Sequence, residues 1–231
     1  GISTMTESGA ALITANIISV FHAGCFFGSL VSYYFSYKWG RKNGLIVSAA
    51  VMAAGAVVMC VASKSTGLAP LYVGRVLAGL GVGFATAIVP VFLAEESPSP
   101  IRGRVSSCFE VGWRIGDTVG FFISYGVDST IEPSKKQWLI PFAIQLIPAA
   151  LYLVGVFFLY ESPRWLVTKG LEEKALKNLS ILRNLPADHE YIEWEMNQIK
   201  EDLEEQKKAI GLGFFDPWKE IMRRKNIQKR L

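Results

Sequence analysis

Residues Leu71–Ala94 read LYVGRVLAGLGVGFATAIVPVFLA, with Arg75 as the only charged side chain. A helix needs roughly 20 mostly apolar residues to cross the hydrocarbon of a bilayer. Backbone groups inside lipid must satisfy their own hydrogen bonds, so such a stretch is expected to be helical. Working outward, four more blocks have the same character: Leu12–Trp39, Gly44–Ala62, Val105–Val127 and Trp138–Tyr160. Short alternating segments, the mark of a membrane β-barrel, are missing from the sequence. The expected fold class is all-α, a polytopic membrane helical bundle with five spans.

Composition agrees. The chain of 231 residues is 51% hydrophobic and only 19% charged. Of its 24 basic residues, 14 lie after residue 160, beside 13 of the 20 acidic ones. The net charge of +4 is therefore dispersed, and no nucleic-acid partner is implied. Cys25, Cys60 and Cys108 sit in or beside apolar blocks without metal-ligand spacing and read as small apolar residues. No metal cluster, nucleophile constellation or cofactor motif appears, so an enzyme is not expected.

Lys38, Arg41 and Lys42 follow the first block, Arg102 and Arg104 precede the fourth, and the basic tail follows the fifth. The opposite connections hold Lys64, then Lys135 and Lys136 beside Asp128 and Glu132. The positive-inside rule makes the first group cytoplasmic. Residues 1–11 then read as an extracellular loop remnant, and residues 161–231 as a cytoplasmic helical linker. Five spans cannot divide into two inverted repeats of three. The expectation is a chain lacking a first span and cut before a seventh. Its partners would be membrane lipid, the missing first span and a carboxyl-terminal half.

Glycines four apart line single helix faces and let backbones approach closely. Gly24 and Gly28, Gly79 and Gly83, and Gly112, Gly116 and Gly120 form three such sets. The fourth block also carries Glu110, Arg114 and Asp117, within about 60° of one another on a helical projection, with Trp113 at the edge. The glycine face is turned away by roughly 160–280°. Arg114 can pair with Glu110 at i,i+4 and with Asp117 at i,i+3. A charge at the bilayer centre costs at least about 2.5–3.5 kcal/mol unless it finds a partner or a wet cavity. The stripe is therefore either a structural ion triad or the wall of a substrate path, and one arrangement can serve as both. Arg75 likewise needs an acid or carbonyl from a neighbouring helix. His22, near Asn16 in the first block, is a packing residue or a proton carrier.

The inner helix ends repeat one chemistry: Gly40-Arg41-Lys42; Glu95-Glu96-Ser97-Pro98 with Arg102 and Arg104; and Glu161-Ser162-Pro163-Arg164. Acids and arginines there suit a breakable ionic latch between rocking bodies. Ser162 reads as a helix cap with Pro163 in the first turn. Leu171–Leu185 and Asp188–Ile210 read as surface helices separated by Pro186. The cluster Arg223-Arg224-Lys225 with Lys229-Arg230 fits the positive-inside charge of a further span, or contact with anionic lipid.

Those helix-end motifs, together with Gly74-Arg75-Val76 and Gly79-Leu80-Gly81-Val82-Gly83, resemble the sugar porter family of the major facilitator superfamily along essentially the whole chain. Leu185-Pro186-Ala187-Asp188-His189 resembles fungal members. Glu110–Gly116 and Phe121–Gly126 look closest to quinate permease-like members. The resemblance implies a twelve-span plasma-membrane transporter with a central site between two halves. It implies that Arg75 faces an acid on span one, a pair linked to proton coupling, and that positions 110 and 117 face the substrate. Sugar-transporting members usually carry glutamines at both positions. Glu110 and Asp117 with Arg114 between them instead suit an anionic polyhydroxy acid such as quinate or a uronate. Tyr37 departs from the superfamily's usual aspartate before Gly-Arg-Lys. The implied activity is secondary transport of a small polyhydroxy substrate, with the proton as coupling ion. A transporter-like nutrient sensor and an inert truncated product are the alternatives.

Overall fold

The computed structural model describes residues 7–61, 67–132 and 135–209, with 211, 213 and 216. Lys64 and the cluster from Arg223 to Arg230 lie outside the described residues, as do the side chains of Lys135 and Lys136. The described residues contain no strand. They form two units, residues 1–159 and 160–231.

The first unit holds α1 (Glu7–Trp39), α2 (Arg41–Val61), α3 (Ala69–Glu96), α4 (Arg102–Thr130) and α5 (Lys135–Phe157). Helix α1 already begins at Glu7, inside the stretch read from sequence as loop. Helix α5 stops at Phe157, short of Tyr160, because the amides of Phe158 and Leu159 turn back to Gly155 and Val156 in tighter i−3 bonds. Gly40 alone separates α1 from α2, and its φ of 97° is the left-handed conformation that favours glycine.

Helices α1, α2, α3 and α5 are long and apolar enough to cross a membrane. Helix α4 has the length, at 29 residues, but Glu110, Arg114 and Asp117 make it less apolar.

Helix α3 lies between α1 and α2, and glycines on two of its sides explain how. At 100° per residue, Gly74 and Gly81 share one face, and Gly79 and Gly83 lie about 140–180° round from it. A Cβ at Gly81 would come within 2.6 Å of the Met52 nitrogen of α2, and one at Gly74 within 2.5 Å of the Met59 side chain. On the other side, a Cβ at Gly79 or Gly83 would overlap the carbonyl oxygens of Phe21 and Cys25 in α1. Side chains fill the rest. Leu45, Phe84, Ile88, Phe92 and Val156 form one buried cluster; Ala56, Met59 and Ala78 form another, flanked by Phe21 and Phe142.

Helix α5 docks on α2. Ser48 Oγ donates to the Leu45 carbonyl at 2.8 Å, which leaves it to accept the Tyr152 hydroxyl, also at 2.8 Å. Helix α4 is different: none of its residues is buried. The expected close approach at Gly112, Gly116 and Gly120 is not made here, since a Cβ at any of them would meet nothing within 4 Å. Small residues permit a close contact without supplying the partner helix.

The second unit holds α6 (Pro163–Thr168), α7 (Glu172–Arg183) and α8 (Glu190–Ala209). Ser162 Oγ accepts the Trp165 amide at 3.3 Å, and Pro163 occupies the first turn. Leu166, Ala175, Leu179, Ile192 and Met196 form its core. Arg183 grips Glu195 through two bonds of 2.9 and 2.6 Å. Asn184 ends α7 in the left-handed region at φ 52°.

Candidate substrate path and helix-end contacts

The stripe on α4 is present but looser than its spacing suggests. Arg114 Nη1 lies 3.7 Å from Asp117 Oδ2, with both side chains well exposed. The i,i+4 pair with Glu110 does not form among the described residues. An exposed arginine on a long flexible stem gains little by ordering itself onto either acid. Its remaining N–H donors make no other ion pair among the described residues. A shallow groove runs along this flank of α4, lined by Glu110, Val111, Arg114, Ile115, Thr118 and Val119. Trp113 stands exposed beyond the opposite edge of the charged residues.

Arg75 projects from α3 into a different setting. No carboxylate among the described residues lies within ion-pair distance of it, and its Nε is buried without a hydrogen-bond partner. Its guanidinium carbon sits 5.8 Å from the Phe21 ring of α1 and 5.1 Å from the Phe142 ring of α5. Sequence reasoning missed both rings, because no local spacing aligns aromatics on separate helices. His22, the other coupling candidate, places Nδ1 2.9 Å from its own helix's Ile18 carbonyl.

At the end where α1 meets α2, one contact is closed. Arg41 Nε and Nη2 donate to the two carboxylate oxygens of Glu95 at 2.9 and 2.7 Å, and Nη1 donates to the Ser36 carbonyl at 3.2 Å. The side chains are only 18% and 10% exposed, so the pair is largely withdrawn from water. Lys42 Nζ donates to the Phe157 carbonyl at 3.0 Å, capping α5 where helix dipoles favour a cation. The Glu96 carboxylate is buried nearby. Arg102 and Arg104 stand exposed at the start of α4, and no ion pair forms at either among the described residues. In the second unit, Arg164 reaches Asp202 of α8 at 3.4 Å, a partner that sequence spacing did not suggest. Glu161 is used locally: its Oε1 accepts the Ser162 amide at 3.1 Å and its carbonyl accepts Asn178 at 2.9 Å.

Long apolar helices and glycine-spaced contacts define the class: a polytopic α-helical membrane protein. The sequence matches the family described as "Sugar (and other) transporter" over residues 2–231, and the chain belongs to that family. It is 49% identical over 231 residues to a probable quinate permease of Neosartorya fischeri, covering all of this chain and 43% of that protein. It is 50% identical over 220 residues to a quinate permease of Emericella nidulans, covering 95% and 41%. The chain thus spans less than half the length of these curated relatives, which are permeases rather than enzymes. The proton:xylose symporter XylE bound to 6-bromo-6-deoxy-D-glucose superposes with a TM-score of 0.79 at 25% identity, over 90% of this chain and 47% of that one. XylE from E. coli in an inward open conformation gives 0.73 at 25% identity, over 87% and 48%.

Proposed function

We propose that these residues serve, within a longer chain, a secondary active transporter of the plasma membrane. It carries a sugar-like polyhydroxy acid, quinate or a uronate, by proton symport and alternating access. The observation carrying this reading is the weakly engaged Arg114 between Glu110 and Asp117 on α4. A planar cation with free paired donors binds a carboxylate bidentately, whereas the hydroxyls of a neutral hexose accept weaker hydrogen bonds from it. The likeness to quinate permeases and to a proton:xylose symporter supports the substrate class and the coupling ion. Arg41–Glu95 and Lys42–Phe157 act as latch contacts at one end of the bundle, and Arg75 is the coupling cation. The open glycine face of α4 is where further helices of the complete protein dock.

The test is uptake of labelled quinate by a quinate-deficient fungal strain expressing the complete transporter. Arg114→Gln should abolish quinate uptake, and a proton uncoupler should collapse accumulation. Quinate uptake unchanged by Arg114→Gln would sink the anion argument; accumulation unaffected by the uncoupler would sink the symport.

A further inference from the structure

Arg75 is held in an unusual way for a charge among membrane helices. No acid among the described residues meets it, and although the residue as a whole is only partly buried, its Nε is buried without a hydrogen-bond partner. Rings from two other helices lie against it instead, Phe21 from α1 at 5.8 Å and Phe142 from α5 at 5.1 Å. Both fall within the roughly 6 Å over which a ring's negative face attracts a cation, and the attraction strengthens where water is excluded. Neither ring is free to drift. Both flank the buried Ala56–Met59–Ala78 cluster, and the Phe21 carbonyl is fixed by the close approach of Gly79, one helical turn from Arg75.

A guanidinium is planar, with its N–H donors in the plane and none on its faces. Ring faces turned toward the cation attract it without taking its N–H groups in ordinary hydrogen bonds, and Nε stays unpaired. We propose that Phe21 and Phe142 are positioning residues whose ring faces hold the Arg75 cation in place and so keep its N–H groups preorganised for a carboxylate. The clamp also ties three helices to one charge, so a movement of α1 or α5 relative to α3 loosens it. The functional half of this inference rests on the reading of Arg75 as the coupling cation; the physical half does not.

Fluorination separates the two halves. In the complete transporter, Phe142 is replaced by phenylalanines bearing one, two and three ring fluorines, which drain the ring face of charge with little change of shape. Thermal midpoints of the purified protein and initial uptake rates are read along the series. The same series is repeated on Arg75→Met, where ring packing persists without a cation. The thermal midpoint is expected to fall stepwise with Arg75 present and to stay flat with Met. Uptake turnover is expected to fall in parallel, by on the order of tenfold across the series, while KM for substrate changes less. A series with the same slope in both backgrounds would mean that Phe142 only fills space, and would overturn the clamp. A falling thermal midpoint with constant turnover would overturn the positioning role and leave a structural contact. Complete absence of uptake in the unmodified protein would remove the transport reading, while the thermal series would still decide the clamp.

Discussion

Replacing Gly24 with alanine should drive α1 and α3 apart. The added Cβ would lie 2.7 Å from the Val76 oxygen, 3.1 Å from the Leu80 nitrogen and 3.2 Å from the Gly79 Cα, all backbone atoms that no rotamer change can move. Ordinary contact begins near 3.4 Å, so the helices would have to separate by about 0.7 Å at this level. A gap of that size forfeits about a quarter to a half of the dispersion attraction along the seam. Overpacking of this kind costs about 1–3 kcal/mol, against which the better helix propensity of alanine returns up to about 1 kcal/mol. The net loss is about 1–2 kcal/mol, or about 3–6 °C in thermal midpoint for a chain of this length. The assay is a thermal ramp of the detergent-purified chain followed by size-exclusion fluorescence. Gly116→Ala supplies the opposite sign: its Cβ meets nothing within 4 Å, so the 231-residue chain should gain about 0.5–1 kcal/mol. If further helices of a longer transporter dock on α4, as proposed, the same change should become destabilising there. Gly24→Ala combined with Gly79→Ala should cost less than the sum, because one separation relieves both. A Gly24→Ala chain melting at or above the parent would refute the close approach of α1 to α3.

Three further outcomes follow from contacts already described. Glu95→Ala strands the largely buried Arg41 and should cost about 3–5 kcal/mol in chemical or thermal melts, with partial recovery when Arg41→Glu is combined with Glu95→Arg. Tyr152→Phe removes the hydroxyl that Ser48 accepts and should cost about 0.5–1.5 kcal/mol in the same melts, without altering uptake specificity. Ser162→Ala deprives the Trp165 amide of its cap; limited proteolysis around α6 should accelerate, reflecting a loss of about 1 kcal/mol.

Much of the architecture was legible because it is written in local periodicity. Apolar length located the membrane helices, and the Ser162-Pro163 signal located a helix start to the residue. The i,i+4 glycines at 24, 28, 79 and 83 pointed to a seam between helices. The second seam escaped notice because Gly74 and Gly81 are seven apart rather than four, and on α2 they meet Gly55 with Met59 and Ser48 with Met52. Pairing across helices was the least legible level. Equivalent arginines at helix ends look alike in sequence, yet Arg41 closes on Glu95, Arg164 on Asp202, and Arg102 and Arg104 on nothing among the described residues. The α4 triad misled in the other direction. Its spacing allowed Arg114 two partners, but solvent competes with exposed charges, and the structure closes only the Asp117 contact, at 3.7 Å.

The two glycine faces of α3 also constrain how a pocket bounded by these helices can change. A helix pressed backbone to backbone on both sides admits no added volume, so substitutions that enlarge or shrink a cavity cannot start there. Helix α4, with no buried side chain and a stripe of varied chemistry, accepts such changes without disturbing a neighbour in this chain. On the proposed reading of the α4 stripe, selectivity and scaffold fall to different helices. If that stripe lines the substrate path as proposed, positions 110, 113, 114 and 117 can vary while α1, α2 and α3 keep their fit.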